Sequence, residues 1–143
     1  MKQLELFEYY TPSNKRVSPQ SMVTEFHKAF GLSVAKAQWD DDTLILRAKL
    51  IDEESEEVAS AIMNVIEEPY LGCEEALLKE LADLVYVVYG TAVSLGLNLD
   101  EALERVHESN MSKLGEDGKP IYRPDGKVLK GPHYKEPYLG DLV

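Results

Sequence analysis

Glu53, Glu54 and Glu57, in the stretch Asp52-Glu53-Glu54-Ser55-Glu56-Glu57, and Glu80 and Asp83, in Lys79-Glu80-Leu81-Ala82-Asp83, are the residues of this 143-residue chain whose types and spacing could do chemistry. Glu54 and Glu57 are three apart, as are Glu80 and Asp83, so on a helix each pair shares a face. Glu54 with Asp83, and Glu57 with Glu80, are both centred between Glu68 and Pro69. Two antiparallel helices joined by a turn there would bring all four carboxylates to one level. Such a grouping is costly unless something cancels the charge. Oxygen-rich sites suit the hard ions Mg2+ and Mn2+, and helical bundles build metal sites from carboxylates on facing helices. An acidic run taken alone is more often a solvated helix face, and Asp52 and Glu56 read that way. The second pair at mirror-image spacing is what favours a metal site. Leu50, Ile51, Val58, Leu81 and Leu84 lie beside the acids, so the carboxylates are expected to line a cleft.

The elements that must position these groups are helices. Ser18 is the expected N-cap of a first helix, with Pro19 at its first position, a stripe of Met22, Phe26, Ala29 and Phe30, and Gly31 as its stop. A second is expected over about Thr43 to Ile66, capped by Asp42, with Leu44, Leu50, Ile51, Val58, Ala61, Ile62 and Val65 inward. Pro69 and Gly72 break it. A third runs from about Glu74 to Leu95, with Leu77, Leu81, Leu84, Val85 and Val88 inward and Gly96 at its end. Asn98 and Glu101 fit a capping box for a fourth, which ends near Leu114. The expectation is one all-α domain over 1–143, a four-helix bundle over 18–115 followed by a tail over 116–143. In that tail, Pro124-Asp125-Gly126 reads as the turn of a short β-hairpin. A lone hairpin is marginal in water, so docking on the bundle or on a neighbouring subunit is expected.

Composition narrows the partners. The net charge is −11 and the pI about 4.7, which disfavours nucleic acid. No apolar run approaches the roughly 20 residues of a membrane span. The first fifteen residues do not read as a signal peptide, and Cys73 is the only cysteine. A reducing cytoplasm is the expected location.

The pattern E-x-x-E, followed after 22 intervening residues by E-x-x-D, resembles the MazG-like all-α nucleoside triphosphate pyrophosphohydrolases. That superfamily also holds phosphoribosyl-ATP pyrophosphohydrolase and the dimeric dUTPases. Further matching stretches are EFHKAFG, ADLVYVVYGTAVSLGLNLDEAL and NMSKL. The tail GKPIYRPDGKVLKGPHY resembles short phage and bacterial members. The resemblance implies a dimer or tetramer that uses two or three Mg2+ or Mn2+ ions. It implies cleavage of a triphosphate between the α and β phosphates, to monophosphate and pyrophosphate. Glu54, Glu57, Glu80 and Asp83 would be metal ligands. Glu53 would ligate or orient the attacking water as general base.

Asn110 and Lys113, three apart in NMSKL, could bind phosphate or sugar, or only complement a helix C-terminus. Gly118 to Lys135 holds five cations, Lys127 and Lys130 among them, against one acid. It could close over phosphates, or be an ordinary basic edge. Trp39 could stack on a base or cap the core. Arg47 could reach phosphate or only neutralise the glutamates. His27 reads as structural. The leading function is hydrolysis of a free (deoxy)nucleoside triphosphate in control of the dNTP pool, with a guanine nucleotide preferred on the family likeness. The alternatives are phosphoribosyl-ATP hydrolysis and a non-catalytic metal-binding helical module.

Overall fold

The computed structural model describes residues 17–35, 38–67 and 69–143. The stretch read as lacking a signal peptide, and Glu68 at the expected turn, lie outside the described residues. Four α-helices follow in order: α1 Pro19–Ala29, α2 Asp41–Glu67, α3 Cys73–Leu95 and α4 Leu99–Met111, with a final 3-10 turn at Gly140–Leu142. The fold is all-α. No single described helix is long and apolar enough to cross a membrane.

Local chemistry sets these boundaries. Ser18 caps α1, its hydroxyl accepting from Ser21 N at 3.1 Å, with Pro19 following where no N–H is missed. Gly31 takes φ +67 past the end of α1, which lets Leu32 N–H return to His27 O at 2.8 Å. The cap of α2 is Asp40 rather than Asp42: Asp40 Oδ1 accepts from Thr43 N at 2.8 Å. Asn98 caps α4 through Glu101 N, but the Glu101 carboxylate turns to Arg105 Nε at 2.9 Å.

The most extensive helix contact is between α2 and α3, and α1 packs on α3. Val23 of α1 with Tyr89 and Val93 of α3 form the core, joined by Val34 and Leu99. The expected inward stripes are only partly right. On α1 the buried residues are Val23 and His27, whereas Met22, Phe26 and Phe30 are exposed. Leu44, Ile62, Leu81 and Val85 are exposed as well. Periodicity finds an apolar face but does not say whether its cover comes from the same chain. Here Phe26, Phe30 and Tyr86 pack on one another at the surface, with ring centroids 4.5 and 5.6 Å apart.

The tail turns back along α4. Gly131 N donates to Lys113 O at 2.8 Å, Ser109 Oγ to Lys135 O at 2.7 Å, and Lys135 N to Ser112 Oγ at 2.9 Å. Arg105 holds the far end through Tyr138 O and both Asp141 oxygens. The expected hairpin is reduced to the turn at Pro124-Asp125 and one isolated antiparallel bridge, Tyr122 to Val128.

Candidate metal centre

The α2–α3 pair aligns the acids. Arg47 on α2 donates to Val87 O and Thr91 Oγ1 on α3, at 3.1 and 3.4 Å, and Glu57 on α2 meets Glu80 on α3, with carboxylate oxygens within 4.8 Å. Both contacts obey the antiparallel register centred near Glu68. Glu54, Glu57 and Glu80 each present one carboxylate oxygen, and these oxygens lie within 4.8 Å of one another.

Among the described residues, no cation is paired with Glu54 or Glu57. Glu54 Oε2 is buried with no hydrogen-bond partner among the described residues. An orphaned buried carboxylate oxygen is expensive, which is the signature of a donor set with a missing acceptor of its lone pairs. The Glu57 carboxyl is held above the usual glutamate range, first by its hydrogen bond to Glu80, then by the charges of Glu54 and Glu80. Three hard oxygen donors, one of them orphaned, fit Mg2+ or Mn2+.

Asp83 and Glu53 stand at the edges. Asp83 Oδ2 is 2.7 Å from Lys79 Nζ, and the same ammonium reaches Glu80 Oε1 at 3.3 Å. Glu53 is paired at 3.7 Å with Lys49. Glu53, Glu56, Glu57, Asn64, Tyr70 and Glu80 are among the residues lining a cleft of about 470 Å3. Glu56 thus shares the cleft wall with Glu53, although the helix pattern puts it on the solvated side.

The other candidates lie elsewhere. Trp39 donates its indole N–H to Leu95 O at 3.0 Å, with the ring half exposed. Leu95 is fifteen residues beyond Glu80 on α3, roughly 22 Å at the helical rise. Trp39 thus stands well along α3 from the acidic cluster. Asn110, Lys113, Lys127 and Lys130 make no hydrogen bond or ion pair with Glu54, Glu57 or Glu80 among the described residues. Lys130 sits over the Tyr134 ring at 4.3 Å. Arg47 is 7% exposed, and its guanidinium serves the α2–α3 contact. His27 is 2% exposed, its Nδ1 2.8 Å from Ser33 O, as a structural histidine should be.

The raised pKa of the Glu57 carboxyl has a measurable consequence. A carboxyl with a raised folded-state pKa contributes stability below its unfolded value and loses it as pH rises through the folded value. Metal-free protein should therefore lose this contribution as pH climbs above the ordinary glutamate range. Divalent cation should replace the proton, so the rise in Tm on adding Mn2+ should grow with pH. Thermal melts across pH 4–8, with and without Mn2+, check this; a metal-induced shift that is flat or shrinks with pH would contradict it.

A model of the family described as phosphoribosyl-ATP pyrophosphohydrolase matches residues 23–110. Among solved structures, a protein of Exiguobacterium sp. 255-15, provisionally assigned as an NTP pyrophosphohydrolase, is similar at 25% identity. The match covers 95% of this chain and 85% of that one, with a TM-score of 0.41, too loose for a structural argument. No curated protein matches.

Proposed function

The chain belongs to the phosphoribosyl-ATP pyrophosphohydrolase family, hydrolases of phosphorus anhydrides, and from that premise we propose that it cleaves a free (deoxy)nucleoside triphosphate between the α and β phosphates, releasing monophosphate and pyrophosphate. The observation that carries the site is the facing carboxylate set Glu54, Glu57 and Glu80, with one orphaned oxygen. Glu54, Glu57, Glu80 and Asp83 would hold Mg2+ or Mn2+, Asp83 after release from Lys79. Cations held there would screen the triphosphate from this acidic chain and make water a better nucleophile. Glu53, in the cleft wall, orients water and takes its proton.

Glu53→Gln should keep most Mn2+ affinity and lose turnover by roughly 10²–10⁴-fold, the usual contribution of general acid–base catalysis. Glu56→Gln should change either little. Calorimetric Mn2+ titration alongside rates tests the pair; a damaging Glu56→Gln with a silent Glu53→Gln would put the base on the wrong residue.

The exposed apolar residues of α1 and α3 support assembly with a second copy, as a dimer or a dimer of dimers, since a lone soluble chain rarely leaves such a patch open. Asn110, Lys113, Lys127 and Lys130 would then grip phosphate or sugar, and Trp39 a base, at a site shared between copies. Light scattering at micromolar concentration should give at least twice the 16.1 kDa chain mass, and a monomeric mass would contradict it.

The family description favours a second substrate, phosphoribosyl-ATP. A panel of NTPs, dNTPs and phosphoribosyl-ATP with Mg2+ or Mn2+ tests the choice. The reading expects a free triphosphate to turn over fastest, a guanine nucleotide first, as suits control of a cytoplasmic dNTP pool. Turnover of phosphoribosyl-ATP alone would replace it. Metal binding without any hydrolysis would leave a non-catalytic module.

A further inference from the structure

We propose that Lys79 is a built-in counter-cation of the acidic cluster, a tethered ammonium that occupies Glu80 and Asp83 until a divalent cation displaces it. The inference rests on the metal reading above. Lys79 Nζ lies 2.7 Å from Asp83 Oδ2, and 3.3 and 3.4 Å from the two oxygens of Glu80. One side chain thus engages two of the four proposed ligands. The two carboxylates, Asp83 foremost, raise the pKa of the ammonium in turn, so it stays charged wherever the protein is folded.

Compensation of the cluster is lopsided. The α3 carboxylates have Lys79. Across from them, Glu54 Oε2 has no hydrogen-bond partner and Glu57 no paired cation among the described residues. The nearby Lys49 is no substitute, because it meets Glu53 at 3.7 Å and touches none of the three clustered oxygens. Lys79 is 65% exposed, so its four-carbon stem can swing into solvent without unpacking anything. It can therefore reduce repulsion in the metal-free protein and yield Glu80 and Asp83 to a cation. Yielding them costs affinity, so Lys79 holds metal binding weaker than the four carboxylates alone would give.

The test is calorimetric Mn2+ titration without nucleotide, with metal-free Tm, on wild type, Lys79→Gln, Lys79→Arg and Lys49→Gln. Lys79→Gln should bind Mn2+ about five-fold more tightly, the upper end for an exposed ion pair. Its metal-free Tm should fall and its rise on metal addition should grow. Lys79→Arg should bind no more tightly than wild type, because a guanidinium keeps both carboxylates engaged. Lys49→Gln reports the plain effect of removing one exposed charge near the cleft, and should change affinity less than about two-fold. Equal effects of Lys79→Gln and Lys49→Gln, or no tightening by Lys79→Gln, would overturn the role of Lys79 while leaving the metal site standing. Failure of every protein, wild type included, to bind millimolar Mn2+ would overturn the metal reading and this inference with it.

Discussion

Glu80→Gln should lose metal-dependent turnover by more than about 100-fold, beyond the 10–100-fold that removing an outer-shell partner of a metal usually costs. Glu80 is the meeting point of the cluster: Glu54 and Glu57 face it from α2 within 4.8 Å, and Lys79 reaches it from its own helix. An amide in its place offers one neutral oxygen and no charge to a cation. The metal-free protein should not suffer. The amide can still donate to Glu57, and one negative charge leaves a crowded set. The exposed pair with Lys79 that is lost contributes little. So the metal-free Tm should equal or exceed that of wild type, while the rise on adding Mn2+ should largely disappear. Paired melts and rates check this. A variant that melts well below wild type without metal would mean that Glu80 is structural, and retained turnover would mean that it is not a ligand.

Gly90→Ala should destabilise by about 3 kcal/mol, through overpacking combined with loss of hydrogen bonds from a charged group. A Cβ on Gly90 would fall 3.1 Å from Arg47 Cζ and 3.2 Å from His27 Nε2, and closer still to Nη2 of Arg47. The guanidinium lies in the notch that the missing side chain leaves on α3. From there it donates to Val87 O and Thr91 Oγ1. Burial lowers its pKa, so the site is bearable for the charge only while these hydrogen bonds hold, and the added methyl would break them. The effect should reach the site, because Glu54 is two turns along the same face of α2 from Arg47. In an Arg47→Met background the added methyl should cost less than about 1 kcal/mol, since the group it displaces is gone. Urea denaturation of the four proteins measures this. Equal cost in both backgrounds would show that Arg47 does not fill the notch.

Much of this is legible in the sequence. The mirror-image spacing of Glu54/Glu57 and Glu80/Asp83 dictates an antiparallel register, because a helix hairpin leaves those acids no other level at which to meet. Ser18 and Asn98 announce their helices through side chains that can do little else in that position. The misses have physical causes. Met22, Phe26 and Phe30 have the same period as a core stripe, and period does not say what covers it. Lys79 holds Asp83, four residues after it, a pairing that the E-x-x-D spacing does not announce. The Arg47 notch did leave a trace. A glycine in a helix interior costs about 1 kcal/mol against alanine, so Gly90 in the middle of α3 marked a close approach. The tail cations Lys127 and Lys130 gave no trace of where they lie, because an extended segment with one bridge has no periodicity to fix it.

The central claim is hydrolysis at the α–β anhydride that depends on divalent cation at the α2–α3 acidic cluster. The most direct test is 31P NMR of one nucleoside triphosphate turned over by the purified protein in Mg2+ or Mn2+, with a parallel sample in excess EDTA. The account predicts matched growth of monophosphate and pyrophosphate signals with metal, and an unchanged triphosphate with EDTA. Orthophosphate with nucleoside diphosphate, or hydrolysis that continues in EDTA, would contradict it.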